Sequence, residues 1–171
     1  LDDAVPLIGA PRVWEAGFTG KGVKVAIIDT GIDPEHPDFA DRIEAFRDFV
    51  DPPAGSAGEQ PKDPNGHGTH VAGIAAARGG DSTASTTDAG GVAPGADLYD
   101  VRVIDERGVG TMADMLAGMD WAIQRARRFG QLRVINLSVG ADSTESFIVD
   151  PLAVAARSAS AAGLVVVAAA G

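Results

Sequence analysis

Two residue types able to move a proton stand at what read as element ends. Asp29 follows the apolar run of residues 23–28 and precedes Thr30 and Gly31, while His67 and His70 lie in Asn65-Gly66-His67-Gly68-Thr69-His70-Val71-Ala72-Gly73, the start of an apolar helix. Open α/β folds place reacting groups in the crevice beyond the strand carboxyl ends, so an acid on a strand end facing a histidine on a helix start points to acid–histidine hydrolysis. The helix dipole disfavours the imidazolium and a nearby carboxylate favours it, a balance that can poise a general base. Gly66 and Gly68 leave one edge of the His67 ring open to a substrate, whereas His70, a turn deeper, reads as a buried, hydrogen-bonded residue. His36, between Pro34 and Pro37, reads as surface. A zinc site would require a third ligand and usually a four-residue histidine spacing, and neither is evident. The plainer role of Asp29 is a turn acid bonded to the backbone after it.

Those side chains need a scaffold, and the pattern supplies one. Residues 23–28 are rich in β-branched side chains, as in a strand buried on both faces. Proline-rich sequence follows, interrupted by a short strand at 43–50, and a helix runs from 67 to 77, apolar nearly all round and so internal. Residues 81–91 read as a Ser/Thr/Gly-rich surface loop. A strand at 97–104, a helix at 111–128 with Met112, Met115, Leu116, Met119 and Ile123 at helical spacing, a strand at 134–137, a helix at 149–161 and a strand at 164–169 complete the chain. The alternation predicts an α/β fold, an open parallel sheet with right-handed crossovers and helices on both faces. The last strand has no helix after it to cover it, so the sheet is expected to be incomplete at the C-terminus.

With 171 residues, 45% of them apolar and 22% charged, the chain suits a single domain with a sizeable core. The net charge of −10 argues against nucleic acid or an anionic membrane as partner. The basic cluster of Arg125, Arg127, Arg128 and Arg133 is accounted for by the negative end of a helix dipole. No segment reaches the roughly 20 apolar residues of a membrane span. The absence of cysteine excludes a disulfide framework and thiolate chemistry.

Two further patterns mislead. Asp29-Thr30-Gly31 resembles the aspartic proteases, but those pair two such aspartates on an all-β fold, and no second Asp-Thr-Gly or Asp-Ser-Gly occurs. Gly108-Val109-Gly110-Thr111-Met112-Ala113 satisfies a dinucleotide-site pattern, yet Asp105 and Glu106 beside it would repel a pyrophosphate.

Taken together, Asp29-Thr30-Gly31-Ile32-Asp33, His36-Pro37-Asp38, His67-Gly68-Thr69-His70-Val71-Ala72-Gly73 and Asn136-Leu137-Ser138-Val139-Gly140 closely resemble the subtilisin-like serine proteases over nearly the whole chain. The aspartate-then-histidine order agrees with that family. The resemblance implies an acyl-enzyme serine endopeptidase in which Asp29 orients His67 and His67 deprotonates a serine. It further implies that a polypeptide substrate lies as an added strand between Gly108-Val109-Gly110 and Ser138-Val139-Gly140, with Asn65 also at the substrate. No catalytic cofactor is implied, and secretion to the extracellular space is.

The family's serine sits in Gly-Thr-Ser-Met-Ala, which this sequence lacks, and its oxyanion-hole asparagine would directly follow Gly171. The sequence is accordingly expected to be the N-terminal portion, somewhat over half, of one peptidase domain, inert without the C-terminal half. A non-catalytic peptide-binding protein and a split-chain partner are the alternatives. At Asp38 two readings stand, a ligand to a structural calcium ion, as in many family members, or a turn acid after Pro37.

Overall fold

A computed structural model describes residues 1, 3–39, 41–51, 60–79, 90–140 and 145–170. Its centre is β1 (Lys24–Asp29), every residue of which is buried. Alternate side chains of a strand point to opposite faces. Val25 and Ile27 accordingly join one core with Ile32, Phe39, Ala72, Ala76 and Leu98, while Ala26 and Ile28 join the other with Val101, Met115, Met119, Ile123 and Ile135. Between Lys24, which is paired with Glu44 at the start of the strand, and the strand end every side chain is apolar, and the next polar position is Asp29.

The sheet comprises β1, β2 (Ile43–Asp48), β3 (Asp97–Arg102), β4 (Leu132–Leu137) and β5 (Val165–Ala168), in the order β2-β3-β1-β4-β5 with all pairings parallel. The chain leaves β1 toward the β2 and β3 side and later crosses to the β4 side. The carboxyl end of β1 therefore lies at a switch point, the place where such sheets open a crevice. Two short helices, α1 (Ala4–Leu7) and α2 (Ala10–Glu15), precede the sheet in the stretch that the pattern left unassigned.

Helix α3 (His67–Ala76) packs on the Val25–Ile27 face, and α4 (Met112–Phe129) and α5 (Pro151–Ala161) pack on the other, giving the expected three layers. The Thr111 side chain caps α4, and Asp150 caps α5, accepting from Ala153 N at 2.8 Å. This cap starts α5 two residues later than expected. β3 stops at Arg102, earlier than the expected 104, because Val103 and Ile104 both turn their amides to the Asp29 carbonyl. Arg125 is held by more than a helix end, since its guanidinium lies 4.7 Å from the Trp121 ring centroid and 5.4 Å from that of Phe129.

One expectation changes. Helix α3 is not internal all round, because Gly68, Ala72 and Ala76 are buried while Ile74 and His70 are exposed. β5, the strand expected to lack a covering helix, lies at the sheet edge with Val165 and Val167 exposed. Most of the loop at 81–91 lies outside the described residues, as does Gly171. No described helix is long and apolar enough to cross a membrane.

Candidate active site

The end of β1 and the start of α3 meet at one hydrogen bond. His67 Nδ1 stands 2.7 Å from Asp29 Oδ1. Asp29 is wholly buried, whereas the His67 side chain is about half exposed, at 49%. A carboxylate can only accept, so the shared hydrogen belongs to Nδ1, and Nε2 is left as the ring's lone-pair nitrogen. The same Oδ1 accepts from Thr30 N at 2.7 Å, which fixes the carboxylate plane.

The approach of α3 to β1 requires a residue without a side chain. A Cβ on Gly68 would lie 2.1 Å from the Gly31 carbonyl oxygen, so Gly68 is buried in the joint rather than opening the ring to substrate. Gly66 does face open space, and its φ of +91° suits glycine. Of the two glycines flanking His67, one gives access and the other gives proximity.

Asp63 organises this joint. Its Oδ1 accepts from Thr30 Oγ1 at 2.8 Å and Gly66 N at 2.9 Å, and its Oδ2 accepts from the amide and hydroxyl of Thr69. Thr30 Oγ1 in turn accepts from Gly68 N, and Thr69 Oγ1 from Asp33 N. A carboxylate thereby caps the helix from outside and ties it to the strand end. Burial alone would raise the Asp63 carboxyl, but the bonds from Thr69, Gly66 and Thr30 outweigh it and hold it below the ordinary carboxylate range. The sequence analysis did not select Asp63; its place four residues ahead of the helix start was the available signal.

His70 departs from expectation. It is exposed and borders a groove with Leu1, His36, Asp38 and Ile74, rather than being buried and hydrogen-bonded. Facing away from Asp29, it leaves one histidine at the strand end. His36 is partly exposed, with Nδ1 accepting from Asp38 N at 3.3 Å. Asp38 Oδ1 accepts from Gly79 N at 2.9 Å, a bond to the segment after α3 rather than to the turn that follows Pro37. Among the described residues no group of three His, Cys, Asp or Glu side chains is placed to hold a metal ion.

A groove of about 260 Å³ opens beside His67, lined by Thr30, Asn65, Ile104, Gly108, Gly110, Met115, Ser138, Val139 and Gly140. It brings together the two segments selected from sequence, apart from Val109, which points outward and is 64% exposed. The 105–110 segment is held as a tight turn. Asp105 Oδ1 accepts from Arg107 N and Val109 N, Asp105 N donates to Val109 O, and Ile104 bridges Gly110. Asn65 joins this turn to the histidine, donating from Nδ2 to Glu106 O at 3.0 Å and accepting from His67 N at 3.2 Å through Oδ1. Apolar Ile104 and Met115 form part of the lining that sequence reasoning had assigned only to strand and core.

Comparison with known proteins gives consistent matches. The model of the subtilase family matches residues 20–171. The chain is 41% identical to subtilisin DY of Bacillus licheniformis over 98% of its own length and 53% of that protein. It is 40% identical to the minor extracellular protease Vpr of Bacillus subtilis (strain 168), over 82% of this chain and 16% of the relative. It is 37% identical to the major intracellular serine protease of the same strain, over 100% of this chain and 49% of the relative. The chain thus spans about half or less of the length of these curated relatives.

Proposed function

Since the chain belongs to the subtilase family, we propose that it contributes the acid and the base of a serine endopeptidase, with Asp29 holding the His67 ring and His67 Nε2 receiving the proton of a serine hydroxyl. The carrying observation is the 2.7 Å pair of a wholly buried carboxylate and a half-exposed imidazole at the mouth of a groove. The imidazole so oriented takes a proton as the serine attacks a peptide carbonyl, and returns it to the leaving amine. The serine and the oxyanion-binding asparagine come from residues outside this sequence.

The peptide lies between 108–110 and 138–140. Small residues there let two backbones approach within hydrogen-bonding distance, so that main-chain bonds give affinity and side-chain cavities give preference. Relatives named as extracellular and as intracellular proteases both match, and extracellular action is the reading we favour from the resemblance.

The test uses the natural full-length protein and its His67→Ala variant, assayed for hydrolysis of an unfolded polypeptide and for labelling of a serine by a fluorophosphonate. The full-length protein is expected to hydrolyse and to be labelled. His67→Ala should lose on the order of 10⁶-fold in turnover, a magnitude known from subtilisin itself. The 1–171 chain alone should hydrolyse nothing. Full activity in the variant, or no labelled serine in the natural protein, would defeat the assignment.

A further inference from the structure

The chain has two asparagines, and one of them, Asn65, precedes a glycine. Both Asn65 and Gly66 are exposed, and no heavy atom lies within 4 Å of the place a Gly66 Cβ would occupy. The backbone nitrogen of a residue after asparagine can attack the side-chain amide carbon, and glycine obstructs that attack least. The three polar atoms that such a reaction uses are already engaged. Gly66 N, the nucleophile, donates to Asp63 Oδ1 at 2.9 Å. Asn65 Oδ1, where negative charge develops, accepts from His67 N at 3.2 Å. Asn65 Nδ2, which departs, donates to Glu106 O at 3.0 Å.

We propose that Asn65–Gly66 is a site of spontaneous deamidation, promoted by Asp63 and by the His67 amide. Gly66 N, its N–H oriented and polarised by the Asp63 carboxylate, bonds to Asn65 Cγ as its proton passes to solvent hydroxide. The resulting oxyanion on Oδ1 is stabilised by the His67 N–H, as a donor in an oxyanion hole would stabilise it. The Cγ–Nδ2 bond then breaks and ammonia leaves with a proton taken from solvent, closing a succinimide ring. Water opens the ring at either carbonyl, giving aspartate or isoaspartate at position 65.

Either product removes the donor to Glu106 O and places a carboxylate against that carbonyl, which loosens the turn that borders the groove. The isoaspartate also inserts a methylene into the main chain two residues before His67, at the joint where His67 meets Asp29. The covalent step stands independently of peptide hydrolysis; only its cost in turnover rests on the proposed activity.

The experiment incubates the purified chain at mildly alkaline pH beside the free peptide Asp-Pro-Asn-Gly-His, and follows both by peptide mapping with an isoaspartate-specific methyltransferase. Position 65 is expected to convert at least as fast in the folded chain as in the peptide, while Asn136 stays intact. A position 65 that persists as asparagine while the peptide is consumed would overturn the proposal. Asp63→Asn adds no reactive pair of its own, because the introduced amide precedes Pro64, whose nitrogen has no hydrogen. It should slow conversion by about tenfold or more, below the span of a fully positioned base. An equal or faster rate in a folded Asp63→Asn chain would remove Asp63 from the step. The readout is mass and linkage, so a failed protease assignment and a failed deamidation site give different results.

Discussion

Arg42 donates from its guanidinium to the carbonyl of Ala76, the last residue of α3, so a buried cation sits at the opposite end of the helix that begins at His67. Arg42 is 1% exposed and also donates to the carbonyls of Ala96 and of Asp38. With Asp63 accepting at the N-terminal end, each end of α3 meets the charge that its dipole favours. Removing one partner of a buried hydrogen bond leaves the other unsatisfied, at roughly 1–3 kcal/mol for each group. Arg42→Met should therefore lower unfolding free energy by about 3 kcal/mol in urea melts, with the earliest loss of hydrogen-exchange protection in α3. A change under about 0.5 kcal/mol would show the carbonyls to be satisfied otherwise.

The Asp29 carboxylate sets which ring nitrogen of His67 carries the hydrogen. Asp29→Asn presents either a donor or a neutral acceptor to Nδ1, and the preference for Nδ1–H should weaken or reverse. Nitrogen chemical shifts of the imidazole report the tautomer directly. In the full-length protein the same substitution should cost about 10⁴-fold in turnover, the scale known for the equivalent change in serine proteases. An unchanged tautomer would show that something other than Asp29 fixes the ring.

Gly68→Ala tests the joint by sterics alone. The new methyl would stand 2.1 Å from the Gly31 oxygen and 3.2 Å from Asp29 Cβ, so α3 must back away from β1. Overpacking of this kind costs about 1–3 kcal/mol. A displacement of about 1 Å at the reacting groups would reduce turnover by about 10²-fold. Loss of the downfield Nδ1–H proton resonance, alongside a melting curve, separates a moved histidine from a merely less stable chain.

Asp100 in β3 supplies a pH dependence. It is fully buried, with Oδ2 accepting from Ile32 N at 3.1 Å and Oδ1 without a partner among the described residues. Burial pushes its carboxyl well above the ordinary range, Asp63 and Asp48 push the same way, and the Ile32 amide and Arg102 oppose them. In the unfolded chain the group ionises near its ordinary value of about 3.9. Its folded value is the higher one, so its contribution is fully present below about pH 4 and is lost progressively as pH rises toward the folded value. Asp100→Asn should flatten this slope, which is up to about 1.4 kcal/mol per pH unit, and leave the variant the more stable of the two at alkaline pH. Urea midpoints at about pH 5 and about pH 8 measure it; parallel pH profiles would show Asp100 ionised in the fold.

The parts of this architecture that could be read from sequence are those whose cause is local. Residues 25–28 are apolar because β1 is covered on both faces, and Gly66 marks an open turn beside His67; the close approach at Gly68 is a contact with Gly31 that sequence reading mistook for access. His70 could not be placed by the same reasoning, because whether a helix position is covered depends on what packs over it. The bonds of Asp63 to Gly66 and Thr69 are local and were within reach of the sequence, whereas its bond from Thr30 exists only once β1 and α3 meet. A buried arginine such as Arg42 runs against the usual preference, and three carbonyls from separate segments make it tolerable. The edge position of β5 reflects strand order, which hydrophobic pattern alone does not encode.

That edge has a material consequence. Val165-Val166-Val167-Ala168 is uncharged and free of proline, so its brevity alone tempers the tendency of its outer backbone rim to take up another strand. An unpaired rim of this kind is a template for another strand, so the chain is expected to associate with copies of itself as its concentration rises, which light scattering would register.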